Sequence, residues 1–259
     1  MTEDYGLVSI ITPSYNSSRF ISQTIESILS QTYTNWELLI TDDCSTDNTR
    51  EIVKSYQRKD PRIKFFQLKE NSGPGVARNH SIEMAKGRFI AFCDSDDRWY
   101  PEKLEKQLAF MQEKNCALSY TSYMVCDENN AIASIVVPFS NVTYTALKRD
   151  NGIGCSTVVY DVNKVGKMYF PDIRKRQDWG LWLNILKKVK VAYGMKEPLA
   201  VYRIQETSLS SNKLSLIRYN IAVYRQVLKY PLLLAYMSFW IINMPCYFMK
   251  KMRLYILNL

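Results

Sequence analysis

Four short apolar segments, Leu7–Thr12, Trp36–Thr41, Ile63–Gln67 and Arg88–Phe92, alternate with helical patterns through the first 92 residues. Strands that alternate with helices build βαβ units, and such units form a parallel sheet with right-handed crossovers. Between the first two segments Ile21, Ile25, Ile28 and Leu29 fall on one helical face. Thr46-Asp47 suit the cap of a helix running to Tyr56. A third helix is expected from Pro74, favoured in a first turn, to a stop at Gly87, favoured just past a helix end.

Ligands of such sheets bind beyond the carboxyl ends of the strands. Those ends are polar here: Pro13-Ser14-Tyr15-Asn16, Asp42-Asp43-Cys44-Ser45, Asn71-Ser72-Gly73 and Asp94-Ser95-Asp96-Asp97. One polar cluster at a strand end is ordinary turn chemistry, whereas four along one edge describe a single crevice. The fourth cluster closes an apolar strand with three carboxylates, which is costly unless a positive charge sits there. Oxygen ligands at this spacing suit a hard divalent cation, Mg²⁺ or Mn²⁺, carrying a phosphate. A solvated acidic turn is the alternative.

Residues 101–206 alternate less regularly. Pro101–Asn115 reads as a helix through Leu104, Leu108 and Met111, and Ala117–Val125 as a strand. Ala133–Val137 and Ser156–Tyr160 are short β-like runs, Asp178–Lys188 is helical, and Val191–Tyr193 and Pro198–Ile204 could rejoin the sheet.

A chain of 259 residues can bury one substantial core, and 47% apolar content suits a globular protein. The six cysteines have no metal-ligand rhythm and several sit in apolar runs, as in a reduced interior. Met1-Thr2-Glu3-Asp4 is acidic and the first apolar run is too short for a signal peptide, so a cytoplasmic location is expected. The net charge of +9 is concentrated at one end: no acidic residue follows Glu206, whereas Lys213, Arg218, Arg225, Lys229, Lys250, Lys251 and Arg253 do. The anionic partner is therefore expected at the tail, and nucleic acid is not an expected partner of the core.

In that tail Leu214, Ile217, Ile221, Tyr224 and Leu228 form one helical stripe beside Arg218, Arg225 and Lys229. A helix lying on an anionic membrane has this pattern; so does a core helix with a basic flank. Residues 231–249 are uncharged, long enough to span a bilayer, but Asn243 and Pro245 interrupt them. Attachment to one membrane face is expected ahead of a single span. The chain thus divides into a core, 1–210, and a membrane-associating tail, 211–259.

Asp42, at a strand tip, could accept the imide N–H of a uracil or simply cap a turn. The loop Gly73-Pro74-Gly75-Val76-Ala77-Arg78 lacks the third glycine of a dinucleotide fingerprint, and no phosphate-binding P-loop is present. Its better use is a helix N-terminus with Arg78 nearby, facing negative or carbonyl groups. Asp178 opens a helix beside Arg174, Lys175 and Arg176. It is either a helix-dipole residue or a proton acceptor whose charged form the cations favour.

The set Val8–Asn16, Asp42-Asp43, Gly75–Asn79, Asp94-Ser95-Asp96-Asp97 and Gln177-Asp178-Trp179 closely resembles the family-2 inverting glycosyltransferases, in order and spacing, over about residues 5–210. The resemblance implies the GT-A fold, an α/β/α sandwich with a mainly parallel central sheet that binds nucleotide sugars. It also implies that Pro13, Tyr15, Asp42 and Arg78 hold the base, Asp94 contacts the ribose or donor sugar, and Asp96 ligates Mg²⁺ or Mn²⁺ on the diphosphate. Asp178 would be the general base. The implied partners are a nucleotide-sugar donor, most naturally a UDP-sugar, and a glycan or lipid-linked acceptor at the inner membrane face. The chain departs from the family where Gln177 replaces a common Glu and where Gln205 replaces a common His, a poorer metal ligand. A non-catalytic nucleotide-sugar-binding subunit is the alternative. One geometric requirement follows: Asp96 and Asp178, 82 positions apart, must face one cleft.

Overall fold

The computed structural model describes residues 3–205 and 213–249. The first half comprises β1 (Val8–Ser14), α1 (Ile21–Leu29), β2 (Trp36–Asp42), α2 (Thr49–Gln57), β3 (Ile63–Gln67), α3 (Pro74–Met84) and β4 (Phe89–Phe92). Then come β5 (Arg98–Trp99), α4 (Lys103–Glu113), β6 (Leu118–Cys126), β7 (Ile132–Val136), β8 (Asn141–Thr143), α5 (Tyr144–Leu147) and β9 (Val159–Asp161). The remainder is α6 (Val162–Val165), α7 (Gln177–Lys188), β10 (Val191–Arg203), α8 (Lys213–Ala222) and α9 (Leu232–Met237).

The strands lie in the order β3-β2-β1-β4-β9-β6-β10-β5, with β7 on β6 and β8 on β10. β3, β2, β1 and β4 are mutually parallel, β10 is parallel to β6, and β9 runs antiparallel between β4 and β6. Side chains of β1 alternate between two cores, as the pleat requires. Val8 and Ile10 meet Ile21, Ile25 and Ile28 of α1, while Ile11 joins Ile82 of α3 and Leu181 and Trp182 of α7. This is the expected three-layer α/β/α arrangement with a mainly parallel sheet. The two short segments expected at 191–204 are instead one strand, β10, whose register shifts on either side of Pro198. A bulge is where a strand tolerates a residue without an N–H donor.

The third helix ends earlier than expected, at Met84 rather than at Gly87. Gly87 serves a different purpose. A Cβ there would lie 2.6 Å from Ser9 N and 2.7 Å from Leu7 O, backbone atoms of the neighbouring chain that cannot rotate away. Gly87→Ala is expected to cost about 3 kcal/mol or more by overpacking, read as a lowered urea midpoint. A midpoint equal to wild type would show that β1 and the 85–88 turn are free to separate.

The tail divides its apolar surface in two. The stripe expected on a membrane packs inward: Ile221 and Tyr224, with Val223 and Val227, join the α7 core around Trp179. The cause is steric and polar fit. Gly180 leaves room for Val227, the Tyr224 ring meets Trp179 edge-on at 5.6 Å, and Lys187 Nζ donates to Val227 O at 3.1 Å. Of the expected cationic row, Arg218, Arg225 and Lys229 are exposed. The helix from Leu232 to Met249 is long and apolar enough to cross a membrane, with 22% of its span buried. Its inward face is mixed, with Ala235 and Phe239 joining the core beside buried Ser238 and Asn243, while Leu233 and Ile241 are 74% and 65% exposed. The boundary drawn at 210, the Leu214 side chain, and Lys250, Lys251 and Arg253 lie outside the described residues.

Candidate active site

The polar strand ends do converge. One cleft of about 1170 Å³ is lined by Pro13, Tyr15, Arg78, Asp94, Asp96 and Asp178, together with Asp43, Asn151, Arg174, Lys175, Arg176 and Gln205. The 82-residue gap between Asp96 and Asp178 is closed because α7 packs on the sheet face opposite α1, bringing its N-terminus to the end of β4.

Asp42 is the expected site residue that the structure keeps out of this cleft. Its carboxylate is fully buried, accepting Ser14 Oγ at 3.0 Å and the Ser45 amide at 2.9 Å. It ties the ends of β1 and β2 together, the turn role. Successive residues of an extended chain point to opposite sides, and so Asp43 lines the cleft instead. The Asp43 oxygens receive the Ser72 and Gly73 amides at 2.7 and 2.8 Å, which fixes the loop entering α3. The N-cap of α2 is Asn48 rather than the expected Thr46-Asp47, and it makes no side-chain cap bond. Asp47, one residue earlier, accepts Thr49 N at 3.0 Å and also holds the Ser18 amide at 3.0 Å. Burial opposes its charge, but the Ser18 and Thr49 bonds prevail and hold the carboxyl at about 2.

At the end of β4 the three carboxylates have separate surroundings. Arg78 Nη2 pairs with Asp94 Oδ1 at 2.5 Å, and its guanidinium stands over the Phe170 ring at 5.2 Å. Burial disfavours the Arg78 charge, yet Asp94 outweighs it and the proton is held more tightly than in free arginine. Asp97 is structural, taking the Arg203 amide at 3.0 Å and the Ser156 hydroxyl. Arg203, from β10, also donates to Asp96 O at 3.0 Å. Asp96 receives the Gln205 Nε2 amide at 2.5 Å, and burial, followed by the charge of Asp94, pushes its carboxyl up to about 6. Gln205, which stands where the family commonly has histidine, thus meets the expected metal ligand directly.

Two uncapped helix starts face the same space. α3 begins at Pro74 after Gly73, α7 begins at Gln177 after Arg176, and neither has a side-chain cap. They abut so closely that a Cβ on Gly75 would fall 2.4 Å from Gln177 Oε1. Free N–H groups and the positive ends of two helix dipoles suit a diphosphate. Asp178, half-buried in the first turn of α7, accepts Asn151 Nδ2 at 2.9 Å through Oδ2. Asn151, Ser156 and Arg203 were not singled out from the sequence. Asn151 lies in a segment with no pattern, and Ser156 opens a short β-like run that carries no sign of its contacts 59 and 62 residues away. Arg203 acts through a backbone atom 107 residues away in the chain.

The donor set fits a hard cation in part. Asp94 and Asp96 supply carboxylate oxygens, and Gln205 would supply its amide oxygen on turning over, all hard ligands. Among the described residues no group of three or more His, Cys, Asp or Glu side chains forms a metal cage. Such a site matches a cation that draws its remaining ligands from a diphosphate and water.

Comparison with known proteins agrees with the geometry. The chain is 45% identical over 228 residues, 88% of this chain and 90% of the relative, to TuaG of Bacillus subtilis, a glycosyltransferase named for teichuronic acid biosynthesis. It is 43% identical over 212 residues, 82% of each chain, to the Escherichia coli UDP-Glc:alpha-D-GlcNAc-diphosphoundecaprenol beta-1,3-glucosyltransferase WfgD. In fold it is similar to residues 1–349 of Staphylococcus aureus TarS in complex with UDP-GlcNAc, with TM-score 0.68 and 22% identity, covering 89% of this chain and 70% of that one. The model of glycosyl transferase family 2 matches residues 9–160, from β1 through the acidic end of β4 to β9. The chain, with its GT-A-like sheet and its cleft at the strand ends, belongs to that family.

Proposed function

We propose that the protein transfers a sugar, with inversion, from a UDP-sugar to a hydroxyl of a lipid-linked glycan in bacterial surface polysaccharide synthesis. The observation that carries this is one cleft lined by Asp94, Asp96 and Asp178 together, large enough for a nucleotide sugar. The relative named for a diphosphoundecaprenol acceptor supports the acceptor class.

Pro13, Tyr15 and Arg78 border the base, with Asp43 rather than Asp42 as the carboxylate that accepts its N–H. Asp94 faces the ribose or donor sugar. Asp178 takes the proton of the acceptor hydroxyl, whose oxygen attacks the anomeric carbon opposite the diphosphate. The bond from that carbon to the diphosphate breaks, and UDP leaves with the electron pair. Asp96, with Asp94 and Gln205, would hold Mg²⁺ or Mn²⁺, which supplies positive charge beside the leaving diphosphate. The helix starts and Arg78 stabilise the same charge from the protein side. A panel of nucleotide sugars with Mg²⁺ or Mn²⁺ and a GlcNAc-diphospholipid acceptor tests the proposal. UDP release that requires both donor and acceptor is expected; release from none of the panel would refute it.

The outward face of Leu232–Met249, with Arg218, Arg225 and Lys229 exposed nearby in the chain, would rest on an anionic cytoplasmic leaflet. The tail from 211 on is thus proposed as the attachment element of the catalytic core. Leu233→Glu combined with Ile241→Glu is expected to weaken sedimentation with phosphatidylglycerol vesicles by about tenfold or more, since each side chain gives up about 1.5–3 kcal/mol of burial. Equal sedimentation of variant and wild type would remove this face from the proposal.

A further inference from the structure

The last carbonyls of a helix have no partner within it. At the end of α5 and in the two residues after it, three successive carbonyls are met by side chains from three other elements. Trp179 Nε1 of α7 donates to Leu147 O at 2.7 Å, and Tyr224 Oη of the π-helical segment Val223–Val227 that follows α8 donates to Lys148 O at 2.9 Å. Asn243 Nδ2 of the Leu232–Met249 helix donates to Arg149 O at 2.7 Å. Two residues on, Asn151 Nδ2 donates to Asp178 Oδ2, and Asn151 Oδ1 accepts the Ile153 amide at 3.1 Å.

Asn243 is a carboxamide, 3% exposed, on a helix whose outer residues are apolar. Burying it is costly unless its polar atoms are bonded. Both ends are: Nδ2 on Arg149 O, and Oδ1 at 3.4 Å from Asn220 Nδ2. As an anchor for a membrane helix alone it is a poor choice. As a grip on the α5 exit it has a purpose.

We propose that Asn243 is a positioning residue that acts through the 149–151 backbone to hold Asn151 against Asp178, an inference that rests on Asp178 being the general base. Two residues of chain reach at most about 7 Å, so slack at Arg149 arrives at Asn151 undamped. Asn151 then loses its fixed aim, and the carboxylate loses the donor that sets its rotamer. The same contact joins the lipid-facing helix to the base. The base therefore stands at a set height over the membrane surface, where a lipid-linked acceptor presents its hydroxyl.

The test uses the full chain with the variants Asn243→Leu, Asn243→Gln and Tyr224→Phe. Amide hydrogen exchange reads the loop without substrates, and transfer from UDP-glucose to a GlcNAc-diphospholipid reads the base. Asn243→Leu is expected to speed exchange at 150–154 by about tenfold while leaving β1 and β4 unchanged. Its kcat falls about tenfold with donor KM within about twofold, because misplacing a reacting group costs turnover rather than binding. Tyr224→Phe moves both readouts the same way by less, and Asn243→Gln, which retains the donor, recovers part of the loss. Unchanged exchange at 150–154 in both Asn243→Leu and Tyr224→Phe overturns the proposal. So does a kcat loss that glutamine does not relieve and that donor KM shares. If Asp178→Asn is inactive while Asn243→Leu matches wild type, the positioning proposal fails alone. If Asp178→Asn transfers normally, the base assignment fails and takes this proposal with it.

Discussion

Asp178→Asn is expected to lower sugar transfer by about 10³- to 10⁴-fold while leaving UDP affinity within about twofold of wild type. The substitution removes the ability to take a proton and little else. Its amide oxygen can still accept Asn151 Nδ2, which lies 2.9 Å from Oδ2 in the wild type. The first turn of α7 loses one carboxylate charge near its N-terminus, worth about 0.3–1 kcal/mol, too little to unfold the chain. Binding and chemistry therefore separate in one variant. Single-turnover transfer beside a UDP titration measures both. A variant that transfers at the wild-type rate would leave Asp178 as a dipole residue only. A variant that loses UDP affinity as well would place it in the donor site.

Asp96→Asn is expected to weaken metal-dependent UDP binding by at least about tenfold and to raise the melting temperature of the metal-free protein by about 2–4 °C. The opposite signs share one cause. Burial, with Asp94 beside it, pushes the Asp96 carboxyl up to about 6, so its charge is a burden on the empty fold. The stability linked to its protonated form is fully present below about 3.8 and is lost as pH rises through about 6. Asparagine carries no charge and can still accept Gln205 Nε2. A metal must displace the proton, so metal-dependent binding in the wild type is expected above about pH 6 and lost as pH falls through it. UDP titrations with and without Mn²⁺ at several pH values, beside thermal melts, read every part of this. Metal-dependent affinity unchanged in the variant would exclude Asp96 as a ligand.

The fold was legible because its signals are local. The apolar faces of α1, α4 and α7 and the alternation of β1 repeat within a few residues, and burial selects that same period. The four polar strand ends were legible because a parallel sheet gathers its carboxyl ends on one edge whatever the details of its connections. The helix stop at Gly87 was misread for a physical reason. A glycine demanded by close backbone approach looks, in one dimension, like a glycine that ends a helix.

The sequence by itself determined a mainly parallel sheet between layers of helices, an acidic strand end in a polar crevice, and an apolar, cationic tail. Only the tertiary structure decided which of two adjacent aspartates enters the cleft, because pleat and pairing register aim Asp42 into the sheet and Asp43 out of it. It also decided that Gln205 meets Asp96, that Tyr224 is core rather than membrane surface, and that Asn243 reaches the loop that carries Asn151. Each of these contacts joins residues far apart in the chain. Distant pairings depend on how whole elements pack, and no periodicity within a single segment records them.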